Sequence, residues 1–127
     1  MNGAGFLAVG VGAALGAWLR WGLSVALNYV TPNLPLGTLV SNLIGGYLVG
    51  VAVEVLVHQT VLTPEWRLFI ITGFLGGLTT FSTFSAEAVG LLSREQYGWA
   101  TALIGAHLAG SLLMTMLGIM TVRALSS

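Results

Sequence analysis

Apolar residues in this chain run in stretches too long for the elements of a soluble domain. A helix needs about 20 predominantly apolar residues to cross the hydrocarbon core of a bilayer, and four segments supply them. The first extends from about Gly5 to Tyr29, interrupted only by Arg20. Pro32 and Pro35 mark a short loop, and a second stretch runs from about Leu36 to Val57 with Glu54 as its only charge. His58 to Trp66 is the longest polar connection. Within it Thr63-Pro64-Glu65 reads as a helix start: a capping hydroxyl, proline at the first helical position, and an acid at the positive end of the dipole. The third stretch covers about Arg67 to Leu92. Ser93 and Gln96 have the spacing of a capping box and open a fourth, from about Tyr97 to Leu125.

The pattern predicts an all-α integral membrane protein, one domain over residues 1–127, passing four times through a membrane. Composition agrees. Hydrophobic residues make up 56% and charged residues 6%, where a soluble domain carries roughly 25% charged. Four basic and four acidic side chains cannot clothe a water-facing surface, so the lipid bilayer is the principal partner. Without cysteine there is no disulfide or thiolate metal site. Zero net charge and the lack of a basic run exclude nucleic acid as a partner. The first stretch lacks the leading Lys or Arg of a cleaved signal peptide and is too long for one.

Four crossings put both termini and the second connection on one side of the membrane, and the other two connections opposite. Arg67 and Arg123 flank the first side, and Arg94 and Arg20 the second. An equal division gives the positive-inside rule nothing to act on. Either features outside that rule set the orientation, or the chain inserts both ways. The second alternative predicts an antiparallel, dual-topology homodimer with its two-fold axis in the membrane plane. Small residues spaced four apart, at Gly12/Gly16, Gly46/Gly50, Gly73/Gly77 and Ala106/Gly110, allow close helix approach, mostly within one chain.

Polar groups at membrane depth mark functional positions. In Gly73-Phe-Leu-Gly-Gly-Leu-Thr-Thr-Phe-Ser-Thr-Phe-Ser85, paired glycines precede five hydroxyl residues within seven positions. Two readings fit. Either the third helix breaks mid-membrane, freeing carbonyls that could ligate a hard cation such as Na⁺, or the glycines form a packing face with hydroxyls bonded to the preceding turn. Phe81 and Phe84 share a helical face. They are packing residues, or rings whose positive edges favour an anion. Thr38 and Asn42 lie four apart on the second helix, and the Asn42 amide can bond a neighbouring helix or donate to an anion. His107, Ser111 and Thr115 form a stripe on the fourth helix that serves as an ion-lined path or as interhelical glue. Arg20 and Glu54 are placed to snorkel, and Trp21 and Tyr29 to sit at the interface. Glu87, one turn after Thr83, is a path residue or the partner of a buried donor. No nucleophile, base and orienting group share a suitable spacing, so the residues do not read as an enzyme.

The run Gly73-Phe-Leu-Gly-Gly-Leu-Thr-Thr-Phe-Ser-Thr-Phe-Ser-Ala-Glu87 resembles the signature of the Fluc (CrcB) family of fluoride channels. So do Gly16-Ala-Trp-Leu-Arg20-Trp21 and Gly37-Thr-Leu-Val-Ser-Asn42-Leu-Ile-Gly-Gly46, and the resemblance spans essentially the whole chain. It implies an antiparallel dimer that exports fluoride passively through two pores, each lined by both subunits. Phe81, Phe84, Asn42 and Ser111 match pore positions, and Arg20 matches a vestibule arginine. Gly76 and Thr79 match positions whose backbone carbonyls hold a structural Na⁺, with no organic cofactor. Thr38, Thr83, His107 and Glu87 join the candidate lining. Leu103 and His107 depart from the hydroxyl-bearing track of the family, and a histidine there would make conduction sensitive to pH. The runner-up from the residues alone is a small multidrug-type exporter, which needs a membrane-embedded carboxylate such as Glu87. A structural membrane subunit without transport activity is the third reading.

Overall fold

The computed structural model describes residues 1–58 and 61–127. Gln59 and Thr60, part of the polar connection between the second and third stretches, lie outside the described residues. The chain is all-helical. Helix α1 (Gly3–Leu27) is followed by α2 (Leu36–His58). The third span, Pro64–Ser93, is segmented into α3 (Pro64–Arg67), a π-helical stretch (Leu68–Leu75), α4 (Gly76–Leu78) and α5 (Phe81–Ser93). Helix α6 (Tyr97–Ser126) closes the chain. Four helical spans are long and apolar enough to cross a membrane. Large apolar side chains stand exposed along them, among them Phe6, Trp21, Leu112 and Met116. Such a surface is stable only against lipid, and the chain is a multi-pass membrane protein.

Local chemistry sets most boundaries. The Asn2 side chain caps α1 by accepting from Gly5 N at 2.7 Å. Thr63 caps α3 by accepting from Trp66 N, with Pro64 behind it, as the start signal predicts. The capping box at Ser93 and Gln96 does not form. Ser93 belongs to the last turn of α5, where its hydroxyl donates to Val89 O at 2.8 Å. The turn into α6 is made by Glu95 at φ 59°, and Gln96 caps α6 without a side-chain bond. A hydroxyl still inside a helix finds its own i−4 carbonyl before it can serve the next helix.

Glycines bring the helices together within the chain. A Cβ at Gly12 or Gly16 would run into backbone atoms of Phe69, Gly73, Phe74 or Leu78, and one at Gly77 into the backbone of Ala13. Thus α1 lies directly on the first half of the third span. Likewise α2 lies on α6, where Gly50 faces the Thr115 backbone and Gly118 the Tyr47 carbonyl. The second half of the third span meets the start of α6 through a buried cluster of Phe84, Ala88, Leu91, Ala100 and Leu103.

Two charged residues do not snorkel as expected. Glu54 is buried, held by Arg123 Nε at 3.1 Å and His58 Nε2 at 3.2 Å. Both partners lie at the same membrane face, so pairing replaces the reach to water. Arg20 turns inward and donates from Nε to Gly77 O at 3.0 Å, because the broken third span offers it a carbonyl without a helical donor.

Candidate functional site

The third span is interrupted at Thr79 and Thr80, whose backbones are extended (φ −91°, ψ 153° and φ −149°, ψ 116°). In a continuous helix Thr80 N–H would bond Gly76 O, but here it donates to Asn42 Oδ1 at 2.7 Å. Thr83 N–H would bond Thr79 O, but it donates to Thr80 Oγ1 at 3.1 Å. The carbonyls of Gly76 and Thr79 thereby lose their helical donors, and that of Gly77 is taken by Arg20. The sequence left a break and a packing face as alternatives. The chain has both: Gly73 and Gly77 pack on α1, and the backbone opens immediately afterwards. Some hydroxyls also bond the preceding turn, as Thr79 Oγ1 does to Leu75 O at 2.9 Å.

Asn42 holds the break from α2. Its Oδ1 accepts from Thr80 N, and its Nδ2 donates to Thr80 O at 3.0 Å and lies 3.0 Å from His107 Nδ1. A side-chain amide matches a backbone amide donor for acceptor, which suits it to replace lost helical bonds. The Phe84 ring leans on the His107 ring with centroids 4.7 Å apart and an interplanar angle of 37°. Phe81 meets Phe84 edge to face at 5.4 Å. The two phenylalanines touch, yet Phe84 is buried whereas Phe81 is 72% exposed.

These groups line a cleft of about 450 Å³ beside the break. Asn42, Gly45, Gly76, Thr79, Thr80, Phe81, Phe84, His107 and Ser111 contribute to its wall, with aliphatic residues completing it. No Lys, Arg, Asp or Glu is among the lining residues. The wall therefore presents amide, hydroxyl, imidazole and ring-edge polarity in an apolar setting, without a full opposing charge that would trap an ion.

Other candidates lie elsewhere. Thr38 donates to Glu87 Oε2 at 2.6 Å, so Glu87 is the partner of a buried donor; this pair sits toward the connection preceding α2 and outside the cleft wall. Thr83 is half-buried in the first turn of α5 and Arg20 lies behind the break, neither reaching the cleft. The stripe on α6 divides. Ser111 and His107 face the cleft, while Thr115 donates to Gly46 O on α2 at 2.9 Å as interhelical glue and to Ser111 O of its own preceding turn at 3.0 Å. Leu103 is fully buried in the α5–α6 cluster.

Sequence reasoning passed over Thr80. Its side chain is one hydroxyl among five, but its backbone is the part clamped by Asn42. The available signal was an amide at membrane depth on α2 together with a suspected break, since such an amide serves unpaired backbone well.

The family model described as CrcB-like protein, Camphor Resistance (CrcB), matches residues 7–119. The chain is similar to proteins named fluoride-specific ion channel FluC. That of Nitrosospira multiformis is 64% identical over 119 residues, covering 94% of this chain and 93% of the relative. That of Ralstonia pickettii is 61% identical over 126 residues, covering 99% and 100%. That of Nitrosomonas europaea is 59% identical over 116 residues, covering 91% of each. With a family match over nearly its full length and relatives of such identity end to end, the chain belongs to the CrcB family.

Proposed function

We propose that this protein is a fluoride-selective channel that lets fluoride leave passively across the membrane, and is not an enzyme. The observation that carries this reading is the uncharged, mostly apolar cleft with a few polar groups at the break, in a chain whose full-length relatives are named fluoride-specific ion channels. Fluoride is small and tightly hydrated, so a pathway must replace its water with donors and ring edges while binding weakly enough to release it. Ser111 and the edges of Phe81 and Phe84 offer such groups in series, with Asn42 and His107 in the wall behind them holding the break, and Thr38, Thr83, Glu87 and Arg20 outside the cleft wall.

The cleft is open on one side and Phe81 stands out from it. A second copy, inserted the opposite way, completes the wall in this proposal, giving two pores per antiparallel homodimer. The even division of the four arginines, Arg67 and Arg123 against Arg20 and Arg94, supports dual insertion. The carbonyls of Gly76 and Thr79 fit a structural Na⁺, because both have lost their helical donors and carbonyl oxygen suits a hard cation. Gly76 is exposed on the chain surface. Bound Na⁺ would hold the two breaks together as structure.

The multidrug-type alternative needs its carboxylate in the transport cavity, and Glu87 is outside the cleft wall, engaged by Thr38. The test is efflux from liposomes containing purified protein, followed with a fluoride electrode and with chloride as control. Rapid fluoride release with chloride retained is expected; equal release of both, or of neither, refutes the proposal.

A further inference from the structure

The cluster of Asn42, Thr80 and His107 fixes more than the backbone break. Thr80 N–H can only donate and Thr80 O can only accept, so chemistry alone determines which end of the Asn42 amide is oxygen. The nitrogen then lies 3.0 Å from His107 Nδ1. An amide nitrogen donates and does not accept, so Nδ1 must carry a bare lone pair. The imidazole is thereby neutral with its proton on Nε2. That Nε2 is buried and has no hydrogen-bond partner among the described residues. Nothing on its far side selects the tautomer, so Asn42 alone does. Conversely, His107 is the acceptor for the amide hydrogen that Thr80 leaves over.

Resting on the fluoride-pathway reading, we propose that His107 is the positioning residue of the pathway: its bare Nδ1 locks the Asn42 amide onto the broken third span. The lock spans three elements, with His107 on α6, Asn42 on α2 and Thr80 at the break between α4 and α5. The Phe84 ring lies against the imidazole and restrains its rotation. With the acceptor gone, the half-buried Asn42 amide has one hydrogen unpaired and rotates to find another partner. It then releases Thr80 and shifts the broken backbone that carries Phe81 beside the cleft.

Two substitutions separate acceptor from bulk. H107N can place an amide oxygen near the Nδ1 position, whereas H107L fills similar space and accepts nothing. In liposome efflux, H107N should pass fluoride about tenfold faster than H107L, since losing one such bond corresponds to roughly one factor of ten. A second measurement needs no variant at position 107. The chain contains two histidines, so ¹⁵N-histidine labelling with H58Q to remove the other signal reads the His107 tautomer by NMR in bilayers. Protonated Nε2 with bare Nδ1 is expected. Protonated Nδ1, or equal flux through H107N and H107L, overturns the proposal. If the wild type passes no fluoride, the channel reading fails instead, and the tautomer still decides whether His107 locks Asn42.

Discussion

Substituting Gly16 by alanine tests whether close contact between α1 and the third span holds the break in place. A Cβ at Gly16 would stand 2.7 Å from Leu78 N and closer still to Phe74 O, both backbone atoms, whereas ordinary contact begins at 3.4 Å. The helices must part by at least about 0.7 Å, a gap that forfeits a quarter to a half of each dispersion contact across the seam. Overpacking against backbone costs about 1–3 kcal/mol. The consequence reaches the site through Arg20, one turn along α1. Its 3.0 Å bond to Gly77 O would lengthen to at least about 3.7 Å, beyond hydrogen-bond range. Gly10→Ala and Gly22→Ala serve as controls, because nothing lies within 4 Å of a Cβ at either position. Those two should be neutral or gain up to about 1 kcal/mol from helix propensity. Thermal unfolding in detergent and fluoride efflux from liposomes supply the readouts. Gly16→Ala should lose about 2 kcal/mol and most of its flux. A Gly16→Ala protein as stable and as active as the Gly10→Ala control would refute the reasoning.

Four other outcomes follow from the same geometry. Phe81→Ile and Phe84→Ile should each cut fluoride efflux severely while preserving the oligomer on gel filtration, with Phe84→Met milder because a thioether is flexible and polarisable; wild-type rates in both isoleucine variants would return the rings to a packing role. Asn42→Ala leaves Thr80 N–H and C=O without their side-chain partner, each worth about 1–3 kcal/mol when buried, so both stability and flux should fall; unchanged unfolding would show that water replaces the amide. C-terminal reporter fusions should signal from both sides of the membrane, and two or three added lysines should fix one orientation; a single orientation in the unmodified chain contradicts dual insertion. Replacing Na⁺ by choline should lower the unfolding temperature of the protein, with Na⁺ restoring it; insensitivity to that exchange removes the proposed structural ion.

The membrane-spanning character of the chain was determined by sequence alone, because lipid solvation demands long apolar runs and a bilayer of fixed thickness demands their length. Pro35 and the Thr63-Pro64-Glu65 start placed α2 and α3 within a few residues, since caps and prolines act locally. The glycine spacings at 12/16 and 73/77 likewise announced close packing. What lay beyond sequence depends on partners distant along the chain. Ser93 had the correct spacing for a cap but was already claimed by Val89 O. Arg20 and Glu54 looked suited to reach water, yet Gly77 O lies 57 residues away from Arg20 in sequence and Arg123 lies 69 from Glu54. The same holds at the candidate site. A run of glycines and hydroxyls weakens a helix, but a break persists only if something replaces the lost bonds. That replacement is Asn42, 38 residues before Thr80, and its own remaining donor is met by His107, 65 residues further along than Asn42. Local sequence sets where the backbone can open, and tertiary packing sets whether the opened groups find partners, because a buried amide left unpaired costs as much as the bond it lost.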